Sequence, residues 1–351
     1  MNRKKVLLGM SGGVDSSVSA ILLKEQGYEV IGITLQLYAG SCCNLETILD
    51  AKNVCKTLEI QHITYDLREE FKSKIIDNFI NEYSHQRTPN PCIECNKYIK
   101  FGAMYEKGIE LGCEYIATGH YAKTEYLEKY NQTVLKKSNN IAKDQSYVLY
   151  SIPRELLNKV IFPLGEFENK EQIREIARKH DLKVANKPDS EDICFIPDGN
   201  YKRFLEENSN LKPKEGNILN RAGEILGTHK GLYNYTIGQR KGIGVSYKEP
   251  LFVVGFNVEK NELIVGTNED TYQKEMIVSD LNWLLFDKLK EKMNVKVKTR
   301  YSTREARATI EPTEKNMVKV VFNEPTQRIT PGQSAVFYID DIVLGGGKIV
   351  K

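Results

Sequence analysis

The chain has 351 residues, 40% hydrophobic and 28% charged, with a formal net charge of +3. That composition excludes collagenous, low-complexity and disordered chains, and the length exceeds what one hydrophobic core usually holds, so two or three domains are expected. Met1 to Gly9 carries three basic residues but only a short apolar run. It is too short for a signal peptide or a membrane span, so a cytoplasmic location without membrane association is expected. Seven cysteines, an odd number, point to a reducing compartment rather than a disulfide scaffold. Cys55 and Cys113 read as buried small hydrophobes.

In chain order, Lys5 to Met10 reads as a strand, Ser17 to Glu25 as a helix and Val30 to Leu37 as a second strand. A helix at Leu45 to Leu58 and a strand at Ile60 to Tyr65 follow. Phe71, Ile75, Ile76, Phe79 and Ile80 have helix spacing within Phe71 to Tyr83. After a proline-rich loop, Tyr98 to Leu111 reads as a helix leading into the strand Tyr115 to Thr118. This alternation predicts a parallel sheet covered on both faces. Val134 to Lys137 extends an edge hairpin, and Lys170 to His180 gives one more helix. Beyond Asp198 glycines separate short segments, so helices are not expected there. Short strands are expected at Leu251 to Asn257 and Leu263 to Thr267. Val295 to Thr299, Ala308 to Glu311, Val318 to Phe322 and Ala335 to Ile339 then suggest a small antiparallel barrel. The fold class is α/β with a second, β-rich part. The expected domains are 1–205, 206–272 and 273–351.

Gly9-Met10-Ser11-Gly12-Gly13-Val14-Asp15-Ser16-Ser17 lies between a strand and a helix. Glycines let the backbone approach phosphate oxygens, and the following helix offers unpaired N–H groups to an anion. Asp15 suits magnesium coordination or a backbone bond better than phosphate itself. The string has neither Walker A nor G-x-G-x-x-G spacing, which disfavours P-loop kinases and dinucleotide dehydrogenases. A second cluster, Thr88-Pro89-Asn90-Pro91-Cys92-Ile93-Glu94-Cys95-Asn96, sets two cysteines three residues apart. Cys194 lies in Asp189-Ser190-Glu191-Asp192-Ile193-Cys194-Phe195. A thiolate is both a nucleophile and a sulfur carrier, although an unperturbed thiol is only about 3% ionised at neutral pH. Zinc binding, a redox pair and simple burial remain open for these cysteines. From Asp287 to Arg307, eight basic residues face three acidic ones, an excess suited to a polyanion.

The first string resembles the SGGxDS loop of the N-type ATP pyrophosphatases. Together with Gly119-His120-Tyr121-Ala122, Lys143-Asp144-Gln145-Ser146-Tyr147, Thr236 to Gly242 and Thr330 to Val336, the chain resembles the bacterial tRNA-specific 2-thiouridylases, the MnmA or TrmU family, over essentially its whole length. The resemblance implies an adenine-nucleotide α-hydrolase-like parallel-sheet domain, a small central domain and a C-terminal antiparallel β-barrel. It implies transfer of sulfur to C2 of the wobble uridine of lysine, glutamine and glutamate tRNAs, with ATP and Mg²⁺. Gly9, Met10, Ser11, Gly12, Gly13, Val14, Asp15, Ser16, Leu35 and Gly119 would bind ATP. Cys95 would be the nucleophile and Cys194 the persulfide carrier, loaded by a sulfur-donor or relay protein, with a transient Cys95–Cys194 disulfide. Asn90, Pro91 and Cys92 would meet the target base, and His120, Lys143, Asp144, Gln145, Arg300, Tyr301 and Gln333 would touch tRNA. Many members carry aspartate where this chain has Cys92. Cys92, Cys95 and Cys194 are therefore an alternative ligand set for a [4Fe–4S] cluster, and Cys42 and Cys43 are further thiols of open role. Rival readings are another adenylating pyrophosphatase or a non-enzymatic RNA-binding protein.

Overall fold

The computed structural model describes residues 3–38, 45–188, 193–314, 316–327 and 329–350. Cys42, Cys43 and positions 189–192 lie outside the described residues. The first domain is built on β1 (Lys5–Gly9), α1 (Val14–Glu25), β2 (Glu29–Gln36), α2 (Leu45–Thr57), β3 (Gln61–Asp66) and β4 (Tyr115–Ala117). The hairpin β5 (Ala122–Leu127) and β6 (Gln132–Lys137) follows, and then the short β7 (Val160–Ile161). The parallel sheet runs in the order β3-β2-β1-β4-β7. Val6, Leu7 and Leu8 are all fully buried because β1 is central and both faces are covered. Val6 and Leu8 pack with Val18 and Ile21 of α1, whereas Leu7 packs on the other face with Ile93, Phe101 and Met104.

From β1 the chain moves outward to β2 and β3, then returns to place β4 on the opposite side of β1. This reversal leaves a crevice between the carboxyl ends of β1 and β4, where open α/β sheets bind ligands. Helical segments at residues 68–84 and 91–110 fill the long return from β3 to β4.

The central sheet has the order β10 (Phe252–Asn257), β11 (Glu262–Gly266), β8 (Gly216–Leu219), β9 (Ile225–His229). The last six strands are β12 (Tyr272–Trp283), β13 (Met293–Lys298), β14 (Ala306–Pro312), β15 (Val318–Gln327), β16 (Ser334–Ile339) and β17 (Ile342–Ile349). They form an antiparallel ring in the order β12-β15-β14-β13-β16-β17, closed by the pairing of β17 with β12. The expected parallel sheet and antiparallel barrel are thus both present. Trp283 stacks on Phe337 inside the barrel, an anchor rather than a surface contact.

The hairpin β5–β6 belongs to the first domain by sequence but joins the barrel, where Ile342 pairs with Lys136. Tyr147 donates to Ser334 O at 2.9 Å, and Asn282 donates to Tyr150 O at 2.6 Å and Ile152 O at 2.8 Å. Val336, Tyr338 and Val343 share a core with Tyr147, Leu149 and Ile152.

Two features depart from the sequence reading. Tyr201–Asn208 is helical, capped by Asn200, whose side chain accepts from Arg203 N. Its Phe204 and Leu205 are buried against Phe71, Phe79 and Phe195, so packing decides a segment that its glycine-rich surroundings obscured. The strand β17 is not expected from the sequence, because Gly345, Gly346 and Gly347 carry no strand signature. They are needed for close approach: a Cβ on Gly345, at φ +146°, would lie 2.3 Å from Asn282 O. Gly345→Ala should therefore destabilise the protein by about 2–4 kcal/mol, from backbone strain and overpacking. A denaturant midpoint equal to that of the parent would contradict this account.

Candidate active site

The glycine loop leaves the carboxyl end of β1 and turns directly into α1. Gly12 adopts φ +67°, and a Cβ there would lie 2.7 Å from Thr47 O, so the loop packs tightly against α2. Ser16 and Ser17 return their hydroxyls to Gly13 O at 3.1 and 2.8 Å, and Ser11 N donates to Ser16 Oγ at 3.2 Å. These bonds set the loop's shape while the first-turn N–H groups of α1 point outward, without intrahelical partners. Gly119 packs on the same turn, since a Cβ would meet Ser16 N at 3.0 Å. Leu35, at the end of β2, packs against two core clusters, the one that holds Ile33 and Phe101 and the one that holds Phe71.

Asp15 does not offer an open carboxylate. Lys170 Nζ lies 2.7 Å from both of its oxygens, and Tyr121 donates to Oδ1 at 2.7 Å. The expected backbone bond gives way to this pairing of the carboxylate with two side chains. Lys170 occupies the first turn of a helix whose start is fixed by the Asn169–Gln172 capping box.

The cysteine cluster is helical, not a loop preceding a helix. Asn90 accepts from Cys92 N at 3.1 Å and Pro91 takes the first helical position, so the helix begins at Pro91 instead of Tyr98. It continues to residue 110 with π-helical turns over Cys95–Ala103. Cys95 is buried with Ile99, Phe71, Phe79 and Phe195, and Cys194 packs against this same cluster. Phe195 fixes Cys194 there through edge contacts with Phe71 and Phe79 at 5.7 and 5.4 Å. Cys92 is open to solvent. Its thiol is nevertheless pushed up by surrounding protein, with Lys100 opposing the shift.

Lys100 Nζ lies 3.4 Å from His120 Nε2, and His120 Nδ1 lies 2.7 Å from Thr118 Oγ1. Burial first, and then the Lys100 charge, lowers His120 well below the usual imidazole range. Thr118 follows β4 and packs near Gly9. The chain Gly9, Thr118, His120, Lys100 thus connects the phosphate loop to the cysteine helix.

The barrel and the central sheet also reach the start of the cysteine helix. Gln333 Nε2 donates to Thr88 O at 2.8 Å, Thr88 N donates to Pro331 O at 2.9 Å, and Arg300 donates to Ile237 O at 2.9 Å. Residues of all three domains therefore meet just before Asn90. Tyr301 is exposed, and its hydroxyl, raised by burial and then by Asp144, also feels Lys143 and Cys92. Asp144 instead caps its own turn, accepting from Ser138 N and Ser146 Oγ at 3.1 and 2.7 Å. Burial pushes its carboxyl up and these bonds pull it down. Gln145 accepts from Tyr121 N at 2.9 Å. The sequence reading gave no role to Lys170 or Lys100. The signal for Lys170 was its place directly after a capping asparagine, and for Lys100 its place two turns beyond Cys92 on one helix.

Fold and site define a class: an α/β nucleotide-binding domain with an SGGxDS phosphate loop and two converging cysteines, fused to two β modules. Residues 4–198 match the family described as tRNA methyl transferase HUP domain, residues 202–267 its PRC-barrel domain, and residues 273–349 the aminomethyltransferase beta-barrel domain. The tRNA-specific 2-thiouridylase MnmA of Clostridioides difficile (strain 630) is 46% identical over 356 residues, covering 99% of this chain and 98% of that protein. The tRNA-specific 2-thiouridylase MnmA 1 of Clostridium tetani (strain Massachusetts / E88) is 48% identical over 353 residues, covering 99% and 97%. A solved 4-thiouridine synthetase–RNA complex with bound ATP covers 58% of this chain and 50% of its own at 17% identity and TM-score 0.39, too slight a likeness to bear on the site. The chain belongs to the tRNA-specific 2-thiouridylase family.

Burial of neutral His120 gives a pH signature. Its folded pKa lies below the unfolded value, so the unfolded chain binds the proton first, and stability falls as pH drops below about 6.5. His62, also lowered by burial, acts in the same sense. The melting temperature should decline from about pH 7.5 to about pH 5.5, and His120→Gln should flatten the slope. A slope unchanged by His120→Gln would show that this ring is not held neutral.

Proposed function

We propose that the chain uses ATP to replace the C2 oxygen of the wobble uridine in lysine, glutamine and glutamate tRNAs with sulfur. The observation that carries this reading is the convergence of Cys95 and Cys194 on one aromatic cluster, carried by a helix whose next face reaches the phosphate loop through Lys100 and His120. Residues Gly9 to Ser16 with Leu35 and Gly119 hold ATP. The target uridine leaves its stack, as base-modifying enzymes require, and enters beside Asn90, Pro91 and Cys92. Its C2 oxygen attacks the α-phosphorus and pyrophosphate leaves, so the oxygen becomes part of an AMP leaving group.

A donor protein loads Cys194 with one sulfane sulfur. The terminal persulfide sulfur attacks C2 and AMP departs with the C2 oxygen. Cys95 thiolate then attacks Cys194 Sγ. The S–S bond to the transferred sulfur breaks, its electron pair becomes the thiocarbonyl, and a Cys95–Cys194 disulfide remains for a thiol reductant. The apolar wall around Cys95 keeps water from C2 during this exchange.

The residues do not fit a cysteine-held iron–sulfur cluster. Among the described residues no group of three or more His, Cys, Asp or Glu is placed to hold a metal ion, and Cys92 is open while Cys95 faces the aromatic core. They do not fit a protein-held magnesium either, since Asp15 is paired with Lys170 and Asp50 with Lys187 at 2.8 Å. Mg²⁺ would be bound through the ATP phosphates. Methyl transfer, named in the domain description, would leave the phosphate loop and the two thiols without a task. Among the described residues no helix is long and apolar enough to cross a membrane, which suits a cytoplasmic tRNA enzyme.

The barrel supports a polyanionic substrate. Lys296 and Arg307 stand directly opposite each other on β13 and β14, both exposed. Like charges in that position oppose folding, and a phosphate backbone relieves them.

With ATP, unmodified tRNA and a persulfide donor, the protein should release pyrophosphate only when tRNA is present and should form 2-thiouridine. Cys95→Ser and Cys194→Ser should each lower thiolation by roughly 10³-fold or more while retaining tRNA binding. Cys92→Asp should keep turnover. Loss of tRNA binding in both serine variants would make the two cysteines structural and remove this reading. Lys296→Glu and Arg307→Glu should weaken tRNA binding and each reduce its logarithmic salt slope by about one. Salt slopes equal to the parent's would take these residues out of the interface.

A further inference from the structure

The phosphate loop contains no lysine, yet cleavage between the α- and β-phosphates loads negative charge onto the α-phosphoryl oxygens. The nearby cations Lys170 and Lys187 are both committed to carboxylates. Lys100 differs. Among the described residues it pairs with no carboxylate, and its ammonium meets only the His120 ring. An ammonium is a donor without acceptor capacity, so His120 Nε2 must present its lone pair and Nδ1 must carry the proton toward Thr118 Oγ1. A neutral imidazole orients the ammonium without neutralising it.

Position agrees with charge. Thr118 and His120 leave the carboxyl end of β4, across the crevice from the loop that leaves β1. Gly119 between them touches the backbone of Asp15 and Ser16. Lys100 is also near enough to Cys92 to depress that thiol electrostatically. Through His120 and Thr118 it is linked to the phosphate-loop side of the crevice, and it lies near Cys92 in the segment proposed to admit the base. One turn earlier on the helix, Asn96 is fully buried, donates to Val148 O at 2.8 Å and keeps Oδ1 without a protein partner.

We propose that Lys100 is the catalytic cation of this enzyme, aimed by His120 at the α-phosphoryl group of ATP and retained on AMP as it leaves C2. The assignment rests on the ATP-dependent reading above. As uridine oxygen attacks, the α-phosphoryl oxygens gather charge while pyrophosphate departs; when sulfur attacks C2, charge returns to the phosphate of AMP. One fixed ammonium serves both transition states without moving. It is the counterpart of a Walker lysine, supplied from a different helix.

Single-turnover pyrophosphate release and 2-thiouridine formation should be measured for the wild type, Lys100→Met, Lys100→Arg and His120→Phe, together with tRNA affinity, KM for ATP and melting temperature. Removing one such charge stabiliser typically costs about 10²–10³ in kcat. Lys100→Met should lose pyrophosphate release in that range, with KM, tRNA affinity and melting temperature near the wild type. Lys100→Arg should recover at least about tenfold of the loss, because it restores charge but not reach. His120→Phe should lower kcat with little change in KM. If Lys100→Met retains pyrophosphate release within a few-fold of the wild type, or if its loss follows tRNA affinity or melting temperature, Lys100 is not this cation. If the wild type itself releases no pyrophosphate in response to tRNA, the ATP-dependent reading falls first, and this assignment with it.

Discussion

The helix at residues 91–110 is held against the sheet and the barrel by bonds from several separate elements. Asn96 donates to Val148 O, Ser151 donates to Ile93 O at 3.1 Å, and Lys348 of β17 pairs with Glu94 at 3.1 Å. Ile93, Phe101 and Met104 seat it on the sheet face below β1. That seating fixes which chemistry each face receives. Cys95 and Ile99 enter the aromatic cluster with Cys194, while Cys92 and Lys100 turn toward the crevice. A rotation of the helix by a quarter turn would separate the thiol from its partner and the ammonium from His120 together. In the proposed reaction, sulfur delivery and nucleotide activation both depend on this helix.

Charge in the crevice is distributed so that few ionic groups remain open. Asp15 holds Lys170 and receives Tyr121, which anchors the start of α1 to the helix at Lys170–Lys179. Asp50 holds Lys187. Neutralising Asp15 matters because an open carboxylate at the first turn of α1 would repel the phosphates that its N–H groups attract. The aspartate in the SGGxDS string accordingly braces α1 against the helix at Lys170–Lys179. Its negative charge is spent on geometry.

Much of the catalytic domain was legible from periodicity. The strands at β1, β2 and β3 and the helix at Lys170–Lys179 follow apolar patterns that tertiary packing reinforces. The phosphate loop was legible because strand, glycine-serine turn and helix appear in one continuous string. The cysteine helix was misplaced by seven residues at its start, because two prolines drew attention to a loop; Asn90–Pro91 was in fact a cap and first-turn signature. The glycines of β17 hid a strand whose close packing demands them. Lys100 and Lys170 were not legible as site residues, because lysines on helices are common and only the fold shows which carboxylate or ring each meets.

The barrel also bears on the chemistry, although it contributes no cysteine and no part of the phosphate loop. Gln333 and Pro331 hold the backbone of Thr88, and Gly332 leaves room for that approach, since a Cβ there would lie 2.8 Å from Thr88 N. Thr88 Oγ1 also donates to Thr236 Oγ1 at 3.3 Å, and Arg300 reaches Ile237 O and Thr330. Thr88 is two residues before the cap of the cysteine helix. Any displacement of the barrel or the central sheet would therefore pull on the point where the helix begins. An RNA-binding module attached by a flexible linker would add affinity alone. A module bonded to the backbone beside Asn90 also bears on the position of Cys92 and Cys95, so in the proposed reaction the three domains would meet the substrate as a single frame.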